Sequence, residues 1–141
     1  MKKESKKAGT IASRERQRRL ELGGLTEEVI GAAIEVQKSL GVGFLETVYE
    51  AALAVELRQR GIVFQSQVRV PILYRGVVVG IHRLDLLVEE TLVVELKVSK
   101  SLENIHFAVV RSYLRASKLK HGLLINFATC PLEIRRVRTW T

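Results

Sequence analysis

Apolar residues recur along this chain with two different periods. In LTEEVIGAAIEVQKSLG, residues 25–41, Val29, Ala33, Val36 and Leu40 fall at helical spacing. Thr26 is placed to cap that helix, Glu27 and Glu28 suit its first turn, and Gly41 supplies a stop. A second helix fits LETVYEAALAVELRQRG, residues 45–61, with Leu45, Val48, Tyr49 and Ala52 as its stripe and Gly61 as its end. Beyond Gly61 the period shortens. FQSQVRVPILY and VVVGIHRLDLLV flank an Arg75-Gly76 turn, and TLVVELKV returns after Glu89-Glu90, which predicts an antiparallel meander of three strands. NIHFAVVRSYLRASK is again helical, HGLLINFA reads as a short buried strand, and PLEIRRVRTW reads as an edge strand starting at Pro131. Helix, helix, three strands, helix, strand, strand is the order of an α/β or α+β sheet flanked by helices.

Composition narrows the class without naming a function. At 141 residues and 47% hydrophobic content the chain suits one domain, taken as residues 21–141. No stretch approaches the roughly 18 apolar residues that span a bilayer, and the charged start lacks the apolar segment of a signal peptide. The expected location is cytoplasmic, with no membrane partner. A single cysteine, Cys130, cannot form an internal disulfide and reads as a small packing residue. The net charge of +8 is unevenly spread: residues 1–20 hold eight Lys/Arg against two Glu, leaving fifteen basic against thirteen acidic residues on the body. This basic tail has too few large apolar side chains to offset its ordering entropy. It is expected to be mobile at least to Ser13, either as a solvated leader or as a phosphate-attracting arm.

Three charges interrupt the most apolar hairpin, LDLLVEETLVVELKV, residues 84–98. With the turn centred near Glu90, paired residue numbers sum to about 180, and Asp85 lies across from Glu95. Glu95 and Lys97, two apart, share that face, while Leu84, Leu86, Val94 and Leu96 point the other way. Two carboxylates ~5 Å apart repel by roughly 3 kcal/mol at an effective dielectric near ~20, so the pair needs a cation. Lys97 balances one of them. Hard oxygen ligands favour Mg²⁺ or Mn²⁺, and a neighbouring lysine suits water activation or a developing phosphate charge. In the alternative reading Lys97 merely bridges Asp85 and Glu95.

GFLETVY, Gly43 to Tyr49, resembles the Gly-x-x-Glu-x-x-Tyr signature of the GxxExxY family, a branch of the PD-(D/E)XK nuclease-like superfamily. RLDLLVEETLVVELKV is similar to that family's core hairpin, and GLLINF, Gly122 to Phe127, to its following strand; the likeness covers about residues 25 to 138. The resemblance implies a restriction-endonuclease-like central mixed sheet, a Mg²⁺- or Mn²⁺-dependent phosphodiesterase site, and a nucleic-acid substrate, DNA ahead of RNA. It assigns Asp85, Glu95, Glu46 and the Leu96 backbone carbonyl to the metal, and Lys97 to catalysis. Tyr49 and Tyr113 would support these groups, Tyr49 by orienting Glu46. One position departs from the pattern. Many such nucleases carry Gln-x-x-x-Tyr on the helix after the lysine strand, whereas VVRSY places Val109 where the glutamine belongs. Valine has no hydrogen-bonding group, so that function is absent or supplied elsewhere, with Gln65 and Gln67 as candidate substitutes.

Arg83, Lys100, Arg111 and Arg115 are candidates for a nucleic-acid rim, with Arg83 able instead to pair with Glu95 or Glu46, and Lys118, Lys120, Arg135, Arg136 and Arg138 extend the option. His82 alternates to the face opposite Asp85, and with His106 and His121 reads as structural. The competing function is a nuclease-like nucleic-acid-binding or protein-assembly module with little turnover. A homodimer joining two sites is expected, since one small domain offers little surface to clamp a duplex. Deleting residues 1–20 should lower nonspecific DNA affinity and flatten its salt dependence, because fewer counterions are released. Fluorescence anisotropy across a salt series measures this slope.

Overall fold

Each periodic segment of the sequence forms an element in the computed structural model, which describes residues 22–139. The basic tail and the end of the last expected strand lie outside the described residues. Helix α1 spans Leu22–Leu40 and α2 Glu46–Gln59; strands β1 (Phe64–Tyr74), β2 (Val77–Val88) and β3 (Leu92–Lys97) follow. Helix α3 (Asn104–Ser117) leads to β4 (His121–Asn126) and β5 (Glu133–Arg138). The sheet order is β1-β2-β3-β4-β5. All neighbours are antiparallel except β3 and β4, which run parallel through the α3 crossover. β5 is an edge strand, as its composition implied. Among the described residues no helix is long and apolar enough to cross a membrane.

Two core layers sandwich the sheet. On one face Leu25, Val29, Ala32, Ala33 and Val36 of α1 and Tyr49, Leu53 and Leu57 of α2 pack on Leu86, Val94, Leu96, Ile125 and Phe127. On the other, Val110 and Leu114 of α3 meet Leu84, Val93 and Leu124. β3 is therefore apolar on both faces, as a central strand beside a parallel neighbour should be. Gly122 lets α3 close on β4: a Cβ there would lie 3.0 Å from the Val110 side chain and 3.3 Å from the Val93 carbonyl.

Several sequence expectations shift. Thr26 is not an N-cap: it sits inside α1 at 4% exposure, because burying Leu25 carries the helix a turn beyond the capping signal. The core stripe of α2 is Tyr49, Leu53 and Leu57, at i+4 spacing; Leu45 and Val48 are exposed. Cys130 is also exposed and packs nothing.

Strand alternation fails at Asp85. Leu84 and Leu86 are two apart, yet Leu84 packs toward α3 and Leu86 toward α1 and α2. In β1, Ser66 pairs with Leu86 and Val68 with Leu84, so Gln67 is the residue opposite Asp85, and its backbone is left-handed at φ 52°. A non-glycine residue in that region costs about 1 kcal/mol or more. The pair of strands changes faces there, which brings His82 onto the α3 side against Tyr113, with ring centroids 4.4 Å apart.

The loop between α1 and α2 is tied down by one hydroxyl. Tyr49 Oη donates to the Gly41 carbonyl at 2.6 Å and accepts the Phe44 N–H at 3.2 Å. Its ring stacks on Phe127 at 4.6 Å and meets Phe44 edge-on at 6.1 Å, a hydrophobic staple across the helix start. Tyr49→Phe should destabilise the domain by ~1–2 kcal/mol, because both loop groups lose their partner while the ring still fits. Urea denaturation measures the loss.

Candidate active site

The β2–β3 ladder is paired from Val88–Leu92 to Leu86–Val94. At the next position, where the same register would set Asp85 opposite Glu95, side chains take over. The Asp85 N–H donates to Glu95 Oε1 at 3.2 Å, and the Leu96 N–H donates to Asp85 Oδ2 at 3.0 Å. Each carboxylate stands where a carbonyl would otherwise accept. The predicted opposition of Asp85 and Glu95 is thus observed, and it has a structural cause: the two acids hold the strands together while opening a gap between them.

Glu95 is buried, and burial together with the adjacent Asp85 carboxylate pushes its pKa up to about 9, against the weaker opposing pull of its backbone donor and Lys97. Without a cation Glu95 favours its protonated form at neutral pH. The Lys97 carbonyl accepts the Phe127 N–H on the β4 side at 2.9 Å, so the preceding residue turns its backbone groups toward β2.

Helix α2 adds Glu46 in its first turn. Burial and Asp85 raise its pKa while Lys97 lowers it, which places it in the field of the same cluster. Glu50, one turn later, also has a raised pKa, from burial and from Asp85, countered by a 2.7 Å hydrogen bond from Gln67. Glu50 was not among the expected site residues, although its i+4 spacing from Glu46 carried the signal. Of the two substitute glutamines, Gln67 is the one bonded to a carboxylate of this cluster. Val109 lies one turn before Tyr113 on α3 and brings no amide to that face.

Tyr113 reaches the acid pair from α3. Burial, then the Glu95 carboxylate, raises its phenol pKa to about 12, keeping it a hydrogen-bond donor. Tyr49 has a different role from the one expected: its hydroxyl bonds the loop rather than the Glu46 carboxylate, and so orients Glu46 only through the helix start. Lys97 is half-buried and, among the described residues, forms no ion pair with Asp85 or Glu95, so the purely structural bridge is not formed. Asn126, paired with Lys97 across β4, is fully buried and bonds both the N–H and the carbonyl of Ser99, which fixes the chain as it leaves β3.

The rim candidates Arg83, Lys100, Arg111 and Arg115 are all exposed, and none forms an ion pair among the described residues. Arg83 therefore pairs with neither Glu95 nor Glu46. They are spread over β2, the β3–α3 connection and α3. His106 serves as a capping-box residue, its Nδ1 accepting the Glu103 N–H at 2.9 Å.

The donor set fits a hard divalent cation. Asp85 and Glu95 offer carboxylate oxygens at one break in the ladder, and burial favours the protonated form of Glu95 in the absence of metal. They do not form a closed cage: among the described residues no three Asp, Glu, His or Cys side chains group as ready metal ligands. Glu46, on the first turn of α2, stands in the electrostatic field of Asp85 and Lys97. Mg²⁺ tolerates such a site, since it keeps several of its own waters.

An acid pair followed by a lysine, on neighbouring central strands of a mixed sheet with helices on both faces, defines a nuclease-type α+β domain. The chain belongs to the PD-(D/E)XK nuclease superfamily, whose family model it matches over residues 23–137. No curated protein matches it. The crystal structure of SSO0001 is similar in fold, with a TM-score of 0.52 and 16% identity, over 88% of this chain. The chain spans 62% of that protein's length.

The raised pKa of Glu95 predicts a pH-dependent stability. A carboxyl whose folded pKa lies above its unfolded value imposes no penalty below pH ~4.5, a growing one as pH rises, and a constant one above about 9. The urea midpoint of the metal-free protein should therefore fall between pH 5 and 8. Glu95→Gln, which keeps the acceptor for the Asp85 N–H, should flatten that fall.

Proposed function

We propose that this domain is a divalent-metal-dependent nuclease that cleaves nucleic-acid phosphodiester bonds, of the GxxExxY branch suggested by Gly43–Tyr49. The observation that carries the reading is the interlocked Asp85–Glu95 pair, two acids at one strand gap with Lys97 on the same strand and uncommitted to either. Superfamily membership supports nuclease chemistry in general. In this reading Asp85, Glu95, Glu46 and the Leu96 carbonyl would hold Mg²⁺ or Mn²⁺. A bound ion supplies Lewis-acid polarisation of the phosphate and a more acidic water.

The remaining chemistry belongs to the chain. Lys97 presents its ammonium to the attacking water or to the charge growing on the phosphate oxygens. Tyr113 donates toward Glu95 and holds its carboxylate in place. Gln67 fixes Glu50, which adds negative field to the metal position. Arg83, Lys100, Arg111 and Arg115 neutralise flanking phosphates.

Val109 favours a second reading, a nuclease-like module that binds nucleic acid or assembles with protein and turns over little. The two are separable. Asp85→Asn should abolish both Mn²⁺ binding by calorimetry and Mg²⁺-dependent cleavage in a gel assay. Lys97→Met leaves the acids untouched and should retain the ion while slowing cleavage by about 10²-fold or more. Cleavage by Lys97→Met at the parent rate removes the lysine from the mechanism. No metal-dependent cleavage of single-stranded, duplex or branched DNA or RNA by the parent selects the binding module.

A further inference from the structure

The loop that precedes Glu46 carries an apolar surface that the Phe44–Tyr49 contact explains only in part. Leu45 is the N-cap of α2, with φ −69° and ψ 153°, and it makes no side-chain capping bond. Leucine is among the poorest residues at that position, where serine or aspartate would bond an orphan N–H. Nor does Leu45 pack, being 74% exposed. Val42 and Phe44 beside it are 52% and 44% exposed, and Val48, one turn into the helix, is exposed as well. Single exposed apolar residues are ordinary, but four along seven residues at the foot of the helix that carries Glu46 are not scattered.

This surface is held rigid. Gly41 and Gly43 adopt φ 74° and 110°, conformations natural to glycine, and Tyr49 clamps the loop by bonds to Gly41 and Phe44. A rigid apolar face loses little entropy when something stacks on it. The loop also lacks phosphate-binding charge: no Lys or Arg occurs between Lys38 and Arg58. Its chemistry suits the faces of bases and not the backbone that links them. One peptide bond separates Leu45 from Glu46, so a phosphate at the acid pair would bring its adjoining nucleotides to this loop.

We infer that Val42, Phe44 and Leu45 form a base-stacking wedge that selects nucleic acid with an unpaired or unstacked nucleotide beside the scissile phosphate. The inference rests on the nuclease reading and names its substrate class. In an intact duplex the base faces are already stacked on one another, and a wedge must disrupt them. At a single-stranded stretch, mismatch, end or junction that cost is largely absent.

The test compares affinities of the full-length protein for a fully paired duplex and for the same duplex carrying a few unpaired nucleotides labelled with 2-aminopurine, with Ca²⁺ in place of Mg²⁺. Leu45→Ser supplies a better cap, so its melting temperature should not fall, yet the ratio of affinities favouring unpaired nucleotides should drop about tenfold, in line with base stacking on a protein platform. Leu45→Met should keep the ratio. The same ratio in Leu45→Ser as in the parent, with Mg²⁺-dependent cleavage intact in the parent, overturns the wedge alone. Failure of the parent both to bind and to cleave either oligonucleotide overturns the wedge together with the nuclease reading.

Discussion

Two backbone N–H groups at the end of the β2–β3 ladder are satisfied by carboxylates instead of carbonyls, and the rest of the site depends on this exchange. Asp85 accepts from Leu96, and Glu95 accepts from Asp85. A hydrogen-bonded strand pair would otherwise bring its carbonyls together and leave no gap. Placing acids there keeps the buried amides bonded and frees oxygen atoms to face a common point. Repulsion and burial then force a proton onto Glu95 when no cation is present. The same two side chains thus close the fold and form the position proposed for the metal.

The surrounding fold serves this exchange from both faces. Helix α2 sets Glu46 and Glu50 beside the gap, its start fixed by the Tyr49 hydroxyl and its body by stacking on Phe127. Helix α3 closes over β4 at Gly122 and brings Tyr113 to Glu95. Asn126 fixes the chain two residues beyond Lys97 by bonding the Ser99 N–H and carbonyl. The left-handed backbone at Gln67 turns β1 and β2 across the sheet opposite Asp85.

Much of this was legible in the chain itself. The strand limits of β1 and β2, the hairpin register and the opposition of Asp85 to Glu95 follow from alternation and from the Glu89-Glu90 turn. What escaped has a physical reason in each case. Thr26 is a sound cap by local chemistry, but burial of Leu25 outweighs it. Two apolar stripes compete on α2, and only packing against Phe127 and α1 selects Tyr49, Leu53 and Leu57. The face of His82 could not be read from parity, because a left-handed residue on the neighbouring strand breaks the alternation. Glu50 was visible at i+4 from Glu46, yet only the fold shows Gln67 bonded to it.

The central claim is that Glu95, beside Asp85, holds a proton which a divalent ion replaces. Titrating Mn²⁺ into the protein at pH 7 in buffers of differing ionisation enthalpy measures the protons released per ion bound. Release of about one proton, lost in Glu95→Gln, is the expected result, since a carboxyl must deprotonate to serve as a ligand. Binding with no proton release, or no binding at all, would contradict the account.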